Sequence, residues 1–240
     1  MSDAAKLAKL SFMKKPQGTP FSSFGPSVGE ILAIGATLED AVIGSAYAAI
    51  ISYGEAMYAL QHGSISWSVV RLYYSCFYSI RALLLIHEVV PFSSGNQMML
   101  NIPRCKFLKG GSSSHHWNWA EIKKIGQLDK QWFFSSDSQE AYGKLREHRE
   151  NVNYTHVFTD PAFHNCLVSS ESDLVKRFRV YRDDDEFLYT YLDEHLAIAY
   201  PTKLVFELDV SLRHASISLP QESLSHAKKI WRMKDRCPCS

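Results

Sequence analysis

The stretch from Ile65 to Val89 constrains the fold more than any other part of the chain. It carries Trp67, Val70, Leu72, Tyr73, Tyr74, Phe77, Tyr78, Ile80, Leu83, Leu84, Leu85 and Ile86, with no glycine or proline among them. A helix of this composition is apolar on most of its surface, so it must sit at the centre of a bundle and be covered from several directions. Arg71 and Arg81 interrupt it, and Pro91 is expected to stop it. A length of 240 residues allows one sizeable domain or two small ones, and 46% hydrophobic with 21% charged residues is the balance of a soluble globular protein.

The rest of the chain divides around this helix. Residues 1–27 are rich in Lys, Ser, Pro and Gly, with Pro16, Pro20 and Pro26 spaced through them, and read as an extended arm or irregular strap. From Ser27 the pattern turns helical. Small residues such as Ala33, Gly35, Ala36, Gly44, Ala46, Ala48 and Ala49 would let another helix approach closely. Gly63 suits a left-handed cap at the end of that segment. Residues 92–119 are Gly/Ser-rich with aromatics and read as a long loop, followed by a helix over Trp119 to Phe134 and another from about Gln139 to His156, capped by Ser138. Asp183 to Ala199 reads as helix. The run from Leu204 to Leu212 fits both a strand and a helix stripe, with helix preferred for want of a sheet partner.

A formal charge of +1, from 26 basic and 25 acidic residues, gives no global pull toward nucleic acid or membrane. An RNA contact would have to be built locally from a few arginines. The apolar-rich run from Val28 to Tyr53 is interrupted by Glu30, Glu39 and Asp40 and reads as a buried helix rather than a membrane span. No secretory signal is visible at the N-terminus, so a cytoplasmic setting with reduced thiols is the expectation. The five cysteines, Cys76, Cys105, Cys166, Cys237 and Cys239, form no spaced framework, and Cys76 reads as a small buried hydrophobe. His115-His116 and the run Asp183-Asp184-Asp185-Glu186 are read as solvated histidines and as carboxylates complementing a helix start, respectively, so no metal or cofactor is expected.

The densest polar feature is Leu145-Arg-Glu-His-Arg-Glu-Asn-Val-Asn-Tyr-Thr-His156. Arg149 and His156 are seven positions apart, nearly two helical turns, so both leave one helix face about 10 Å apart along the axis. Asn153 lies between them and Arg146 extends the stripe by one turn. A cation paired with a titratable imidazole is what cleavage of a phosphodiester needs. An ordinary solvated helix face carries the same residue types.

Two segments together resemble the HEPN superfamily. The first is Ala56-Met-Tyr-Ala-Leu-Gln-His-Gly63 followed by the aromatic helix from Trp67 that ends Arg81-Ala-Leu-Leu-Leu85, and the second is the stripe segment ending at His156. The resemblance covers roughly residues 50–160. It implies an all-α, up-and-down helical bundle over residues 28–165, with a long inter-helix loop, the arm of residues 1–27 before it and a mainly helical extension over 166–240 packed on it. The family's signature is an arginine, four to six residues and a histidine; here six residues separate Arg149 from His156. Two departures stand out: Glu150 follows Arg149 where active members often carry a small polar residue, and Tyr154 takes the place where shorter-spaced members carry the histidine.

The resemblance implies a metal-independent endoribonuclease of toxin-like or defence-associated type. In it the RNA 2′-hydroxyl attacks the adjacent phosphate, His156 moves the proton, Arg149 holds the phosphoryl oxygens and Asn153 orients the histidine or the phosphate. Arg146, Arg71 and Arg81 are candidate substrate contacts, with a structural ion pair of the latter two, for example to Glu55 or Glu88, as the competing reading. Two stripes meeting at a twofold axis would form one composite site in a homodimer. Trp117 and Trp119 are candidate base-stacking residues, with simple packing of their loop onto the bundle as the competing reading. Two other functions stay open: a non-catalytic subunit that binds a protein partner (an antitoxin, a nucleotidyltransferase or a larger effector), and a small-molecule or nucleotide sensor in which residues 92–119 close over a ligand.

Overall fold

The computed structural model describes residues 1–20, 23–110, 114–122, 136–155 and 171–231. The chain is mostly helical, with one small sheet among the described residues. Helices α1 (Asp3–Met13), α2 (Val28–Gly35), α3 (Leu38–Gln61) and α4 (Ile65–Ile86) come first. Strands β1 (Val89–Ser94), β2 (Asn96–Asn101) and β3 (Lys106–Lys109) follow. Then come α5 (Ser114–Ile122), α6 (Ser136–Thr155), α7 (Glu171–Arg182), α8 (Asp193–His214) and α9 (Gln221–Trp231).

Helix α4 is the axis of the molecule. It packs against α3, α5, α6, α8 and β1. Ala41, Ala46, Ala49 and Ala56 of α3 are buried, and these short side chains bring α3 close along much of its length. The α3–α4 turn is a Schellman motif: Gly63 has φ +74°, its amide donates to the Leu60 carbonyl at 3.0 Å, and the Ser64 amide donates to the Ala59 carbonyl at 2.9 Å. Helix α4 has the length and apolar character of a membrane span, as does the α2–α3 pair if its 42° bend is disregarded, but most of α4 is buried inside this fold.

Four buried tyrosines pin the helices around α4, and each hydroxyl has a partner, as buried polar groups require. Tyr53 of α3 bonds Thr202 of α8, Tyr73 of α4 bonds Tyr142 of α6 at 3.3 Å, and Tyr200 of α8 bonds Ser138 of α6 at 3.0 Å. Burial pushes the pKa of each of these hydroxyls up, and that of the Cys76 thiol among them, so all stay protonated. Ser138, expected as a helix cap, therefore lies inside the first turn of α6, where its hydroxyl serves the core.

Several expectations are corrected here. The N-terminal segment carries a helix rather than only an extended arm: Ser2 caps α1, and the stripe Ala4, Ala5, Ala8 and Ser11 is buried. The segment expected as a long loop folds as an antiparallel β1-β2-β3 meander and then α5, so the fold is not purely α. Its strands bury consecutive residues, Val89 to Phe92 and Met98 to Leu100, and so show no period-two alternation. Pro91 does not stop α4, which ends at Ile86; the chain turns at Glu88, with φ +57°, and Pro91 lies on the edge strand opposite Met99, where proline is tolerated. The rings of Phe12 and Phe24 pack on Phe107, at 5.3 and 5.7 Å between centroids. Residues 183–192 form turns rather than helix, and the acidic run follows α7 instead of opening a helix. The Leu204–Leu212 stretch is helical within α8, which packs on α4 directly. The proposed helix over Trp119 to Phe134 is described only to Ile122, the end of α5.

Two measurements probe these packing features. A Cβ at Gly110 would meet the Trp117 ring at 2.0 Å, so Gly110→Ala is expected to cost about 2 kcal/mol in urea denaturation; an unchanged midpoint would show that the two do not pack closely. At α2, Glu30 closes a capping box with Ser27 and pairs with Lys14 at 2.7 Å. The Lys14 hydrogen bond, then those from Ser27, hold the Glu30 pKa down to about 2. A depressed carboxyl pKa stabilises the fold above the unfolded value and loses that contribution on acidification. Glu30→Gln should therefore be less stable than wild type at pH 7, with the gap closing as pH falls from about 4.5 toward 2. A pH-independent gap would contradict this.

Candidate functional site

Every face of α4 is covered except one. From Trp67 onward, the residues of α4 before Ile86 that reach the surface are Trp67, Arg71, Tyr74, Tyr78 and Arg81; those between are buried. These positions fall at helical spacing on one face, a stripe about 21 Å long at 1.5 Å per residue. Trp67 is 63% exposed and the other four are half-buried. The stripe combines two arginines with three aromatic residues, a composition that the interior of a bundle does not call for.

Helix α6 supplies the neighbouring cation. Arg149 Nη2 donates a hydrogen bond to the Tyr74 hydroxyl at 3.0 Å. The Arg149 guanidinium carbon lies 5.5 Å from the Tyr74 ring centroid and 5.7 Å from that of Tyr73, within cation–π range. Tyr74 in turn stacks with Tyr78, at 6.1 Å and 28° between planes. The guanidinium is thus seated on aromatic rings that are themselves fixed by α4. Arg146, one turn earlier on α6, lies 3.7 Å from Glu150, and Asn153 is half-buried on the same helix.

The two arginines of α4 differ. Arg71 forms an ion pair with Glu55 of α3, the structural alternative raised by the sequence. Arg81 has no hydrogen-bond or ion-pair partner among the described residues. It is half-buried beside Tyr78, and desolvation lowers its pKa from the ordinary arginine value. A guanidinium remains cationic under such a shift, so Arg81 offers a partly desolvated positive charge without a counter-ion among the described residues.

At the Trp67 end the stripe opens into a cleft of about 520 Å³ between α3, α4 and α9, lined in part by Glu55, Tyr58, Trp67, Arg71, His226 and Lys229. The His226 imidazole is held by the Tyr47 hydroxyl. Of the residues expected at a site, Arg149 and Arg146 lie together on α6, Arg71 and Arg81 lie together on the open face of α4, and Arg149 joins the two through Tyr74. His156 follows α6 and lies outside the described residues. Trp117 and Trp119 are 9% and 3% exposed on α5 and pack in the core, with Trp117 Nε1 donating to Glu121 at 3.1 Å, so they are not available for base stacking. The lid expected over residues 92–119 is likewise replaced by the packed sheet and α5. The sequence reading missed Tyr74 and Tyr78 as surface groups; their spacing with Arg71 and Arg81 is the signal that places them there. No group of three or more His, Cys, Asp or Glu side chains among the described residues is arranged to hold a metal ion.

An arginine kept for a ligand should be dispensable for folding. Arg81→Met, which retains the stem and removes a charge that no described residue pairs, is expected to raise stability by about 1 kcal/mol in thermal or urea unfolding. A loss of similar size would show that Arg81 serves the fold instead. No protein-family model, no curated protein and no solved structure matches this chain.

Proposed function

We propose that this chain is a HEPN-type, metal-independent endoribonuclease whose substrate lies along the open face of α4 and α6. The observation that carries the reading is Arg81, a half-buried cation with no counter-ion among the described residues, on a stripe with Tyr78, Tyr74 and Trp67 and next to Arg149. Arginines that contact phosphates and aromatic rings that stack unpaired bases are the two components of single-strand recognition. They supply the local contact that a chain with a net charge of +1 would need.

In this proposal Arg149 holds the non-bridging oxygens of the scissile phosphate, with Asn153 and Arg146 beside it. His156 takes the proton from the 2′-hydroxyl as that oxygen attacks phosphorus. The P–O5′ bond breaks, the 5′-oxygen leaves with a proton, and the products are a 2′,3′-cyclic phosphate and a 5′-hydroxyl. A homodimer in which two α6 helices meet would bring two such sets together. A cytoplasmic setting and a toxin-like or defence role belong to the same proposal.

A second reading, a non-catalytic HEPN-like subunit that binds an antitoxin, a nucleotidyltransferase or a larger effector, draws on a different observation. One nitrogen of Arg149 is already engaged by the Tyr74 hydroxyl, and the exposed Trp67 is the sort of anchor that protein interfaces use.

Incubation of the purified protein with RNA in EDTA separates the two. The nuclease reading expects cleavage with cyclic-phosphate ends, reduced about 100-fold or more in His156→Ala and in Arg149→Ala. Arg81→Ala should weaken RNA binding and lower the slope of log affinity against log salt by about one contact. Absence of cleavage by the wild type, with a protein partner co-purifying equally well with Arg149→Ala, would favour the interaction subunit.

A further inference from the structure

The cleft at the Trp67 end of the α4 stripe carries chemistry that the stripe itself does not use. It lies between α3, the start of α4 and α9, and its volume of about 520 Å³ is within the roughly 300–1,000 Å³ of small-molecule sites. Its described lining combines two aromatic side chains, Tyr58 and Trp67, with the polar groups of Glu55, Arg71, His226 and Lys229.

The walls are held from outside the cleft. Tyr58 rests on His62, with ring centroids 4.3 Å apart, and His62 Nδ1 lies 2.8 Å from the Tyr58 carbonyl oxygen. The bond between the Tyr47 hydroxyl and His226 Nδ1 ties α9 to α3. Trp67, on the first turn of α4, is 63% exposed, and its indole has no hydrogen bond or ring partner among the described residues. A broad aromatic surface is therefore open at the cleft, and covering it with a flat ring is favourable.

Glu55 and Arg71 decide which ring. Their ion pair joins Arg71 Nη1 to Glu55 Oε2, and among the described residues no hydrogen bond engages Glu55 Oε1 or the other Arg71 nitrogens. The two charges offset each other, so the pair selects neither a bare anion nor a bare cation. It presents acceptors beside donors, and it suits a neutral edge that does the same. Guanine answers it most fully: its N1–H and N2 amino group can donate to a carboxylate while O6 and N7 accept from a guanidinium. Adenine and cytosine have no ring N–H on that edge, and uracil offers a smaller ring to stack. Lys229 adds one positive charge to the lining, which suits a phosphate.

We propose that this cleft binds a guanine nucleotide. The base lies against the Trp67 and Tyr58 rings, Glu55 accepts from N1–H and the N2 amino group, Arg71 donates to O6, and Lys229 meets the phosphate. This recognition stands on the cleft alone. The guanine can belong to a strand on the α4 stripe, which rests on the RNA-binding reading above and on Trp67 and Arg71, common to stripe and cleft. A free guanine nucleotide carries the same groups.

The test is calorimetric titration of the full chain with GMP, AMP, CMP and UMP, and with a short single-stranded oligoadenylate with and without one central guanine. The proposal expects saturable binding of GMP, of the guanine-bearing oligomer or of both, at least tenfold tighter than that of the counterparts lacking guanine. An oligomer that binds at least tenfold tighter than GMP identifies a guanine within a strand; GMP that binds as tightly as the oligomer identifies the free nucleotide. Glu55→Gln should abolish the preference for guanine. Trp67→Ala, at an exposed position, should weaken binding of every base at least fivefold, and keeps the test decisive if Glu55→Gln fails to fold. No cleavage is read, so failure of the nuclease mechanism and failure of this site are distinguishable. Equal affinity for all four bases in wild type, no saturable binding, a guanine preference that survives Glu55→Gln, or affinities unchanged by Trp67→Ala would overturn the proposal.

Discussion

The near-complete burial of α4 is the constraint on which the rest of the structure depends. A helix that carries apolar side chains around most of its circumference has to be enclosed, and burial of each large aliphatic or aromatic side chain contributes about 1.5–3 kcal/mol. Helices α3, α5, α6 and α8 and strand β1 meet that demand from different directions. The buried tyrosines then fix how these neighbours sit. A hydroxyl left without its partner inside the core costs about 1–3 kcal/mol, so Tyr53–Thr202, Tyr73–Tyr142 and Tyr200–Ser138 select one arrangement of α3, α4, α6 and α8.

The same enclosure gives the open stripe its meaning. Trp67, Arg71, Tyr74, Tyr78 and Arg81 are the positions from Trp67 to Leu85 of α4 that reach the surface, and among the described residues Arg71 is paired with Glu55 while Arg81 has no ion pair. Tyr74 links this face to α6, because its hydroxyl accepts from Arg149 while its ring lies beneath the guanidinium. The face is therefore supported by two packed helices rather than by loops, which favours a fixed geometry.

The central helix, the Gly63 turn and the close approach of α3 were legible in the sequence because each follows from local chemistry: continuous apolar surface, a residue that tolerates positive φ, and a run of small side chains. The sheet was not legible. Its strands bury consecutive residues and include Pro91, so the alternation that marks a strand is absent. Helix α1 was hidden by the prolines that follow it, and its alanine stripe gains stability only from a tertiary partner. For the candidate site, Arg149, Arg71 and Arg81 could be singled out one by one, but not the Tyr74 and Tyr78 surface that joins them, since exposure of one stripe depends on what covers the others. Trp117 and Trp119 allowed two readings for the reverse reason: aromatic residues flanked by Gly and Ser can stack on bases or pack inward, and their burial on α5 bears out packing.

The proposed function places RNA on the α4–α6 face, whether or not cleavage follows. Ultraviolet crosslinking of the full chain to a single-stranded RNA, with the crosslinked peptides sequenced by mass spectrometry, tests that claim most directly. The account predicts adducts on Trp67, Tyr74 or Tyr78, diminished when Arg81 is replaced by glutamate. Adducts confined to other surfaces, or a yield on this stripe that is indifferent to the Arg81→Glu change, would contradict it.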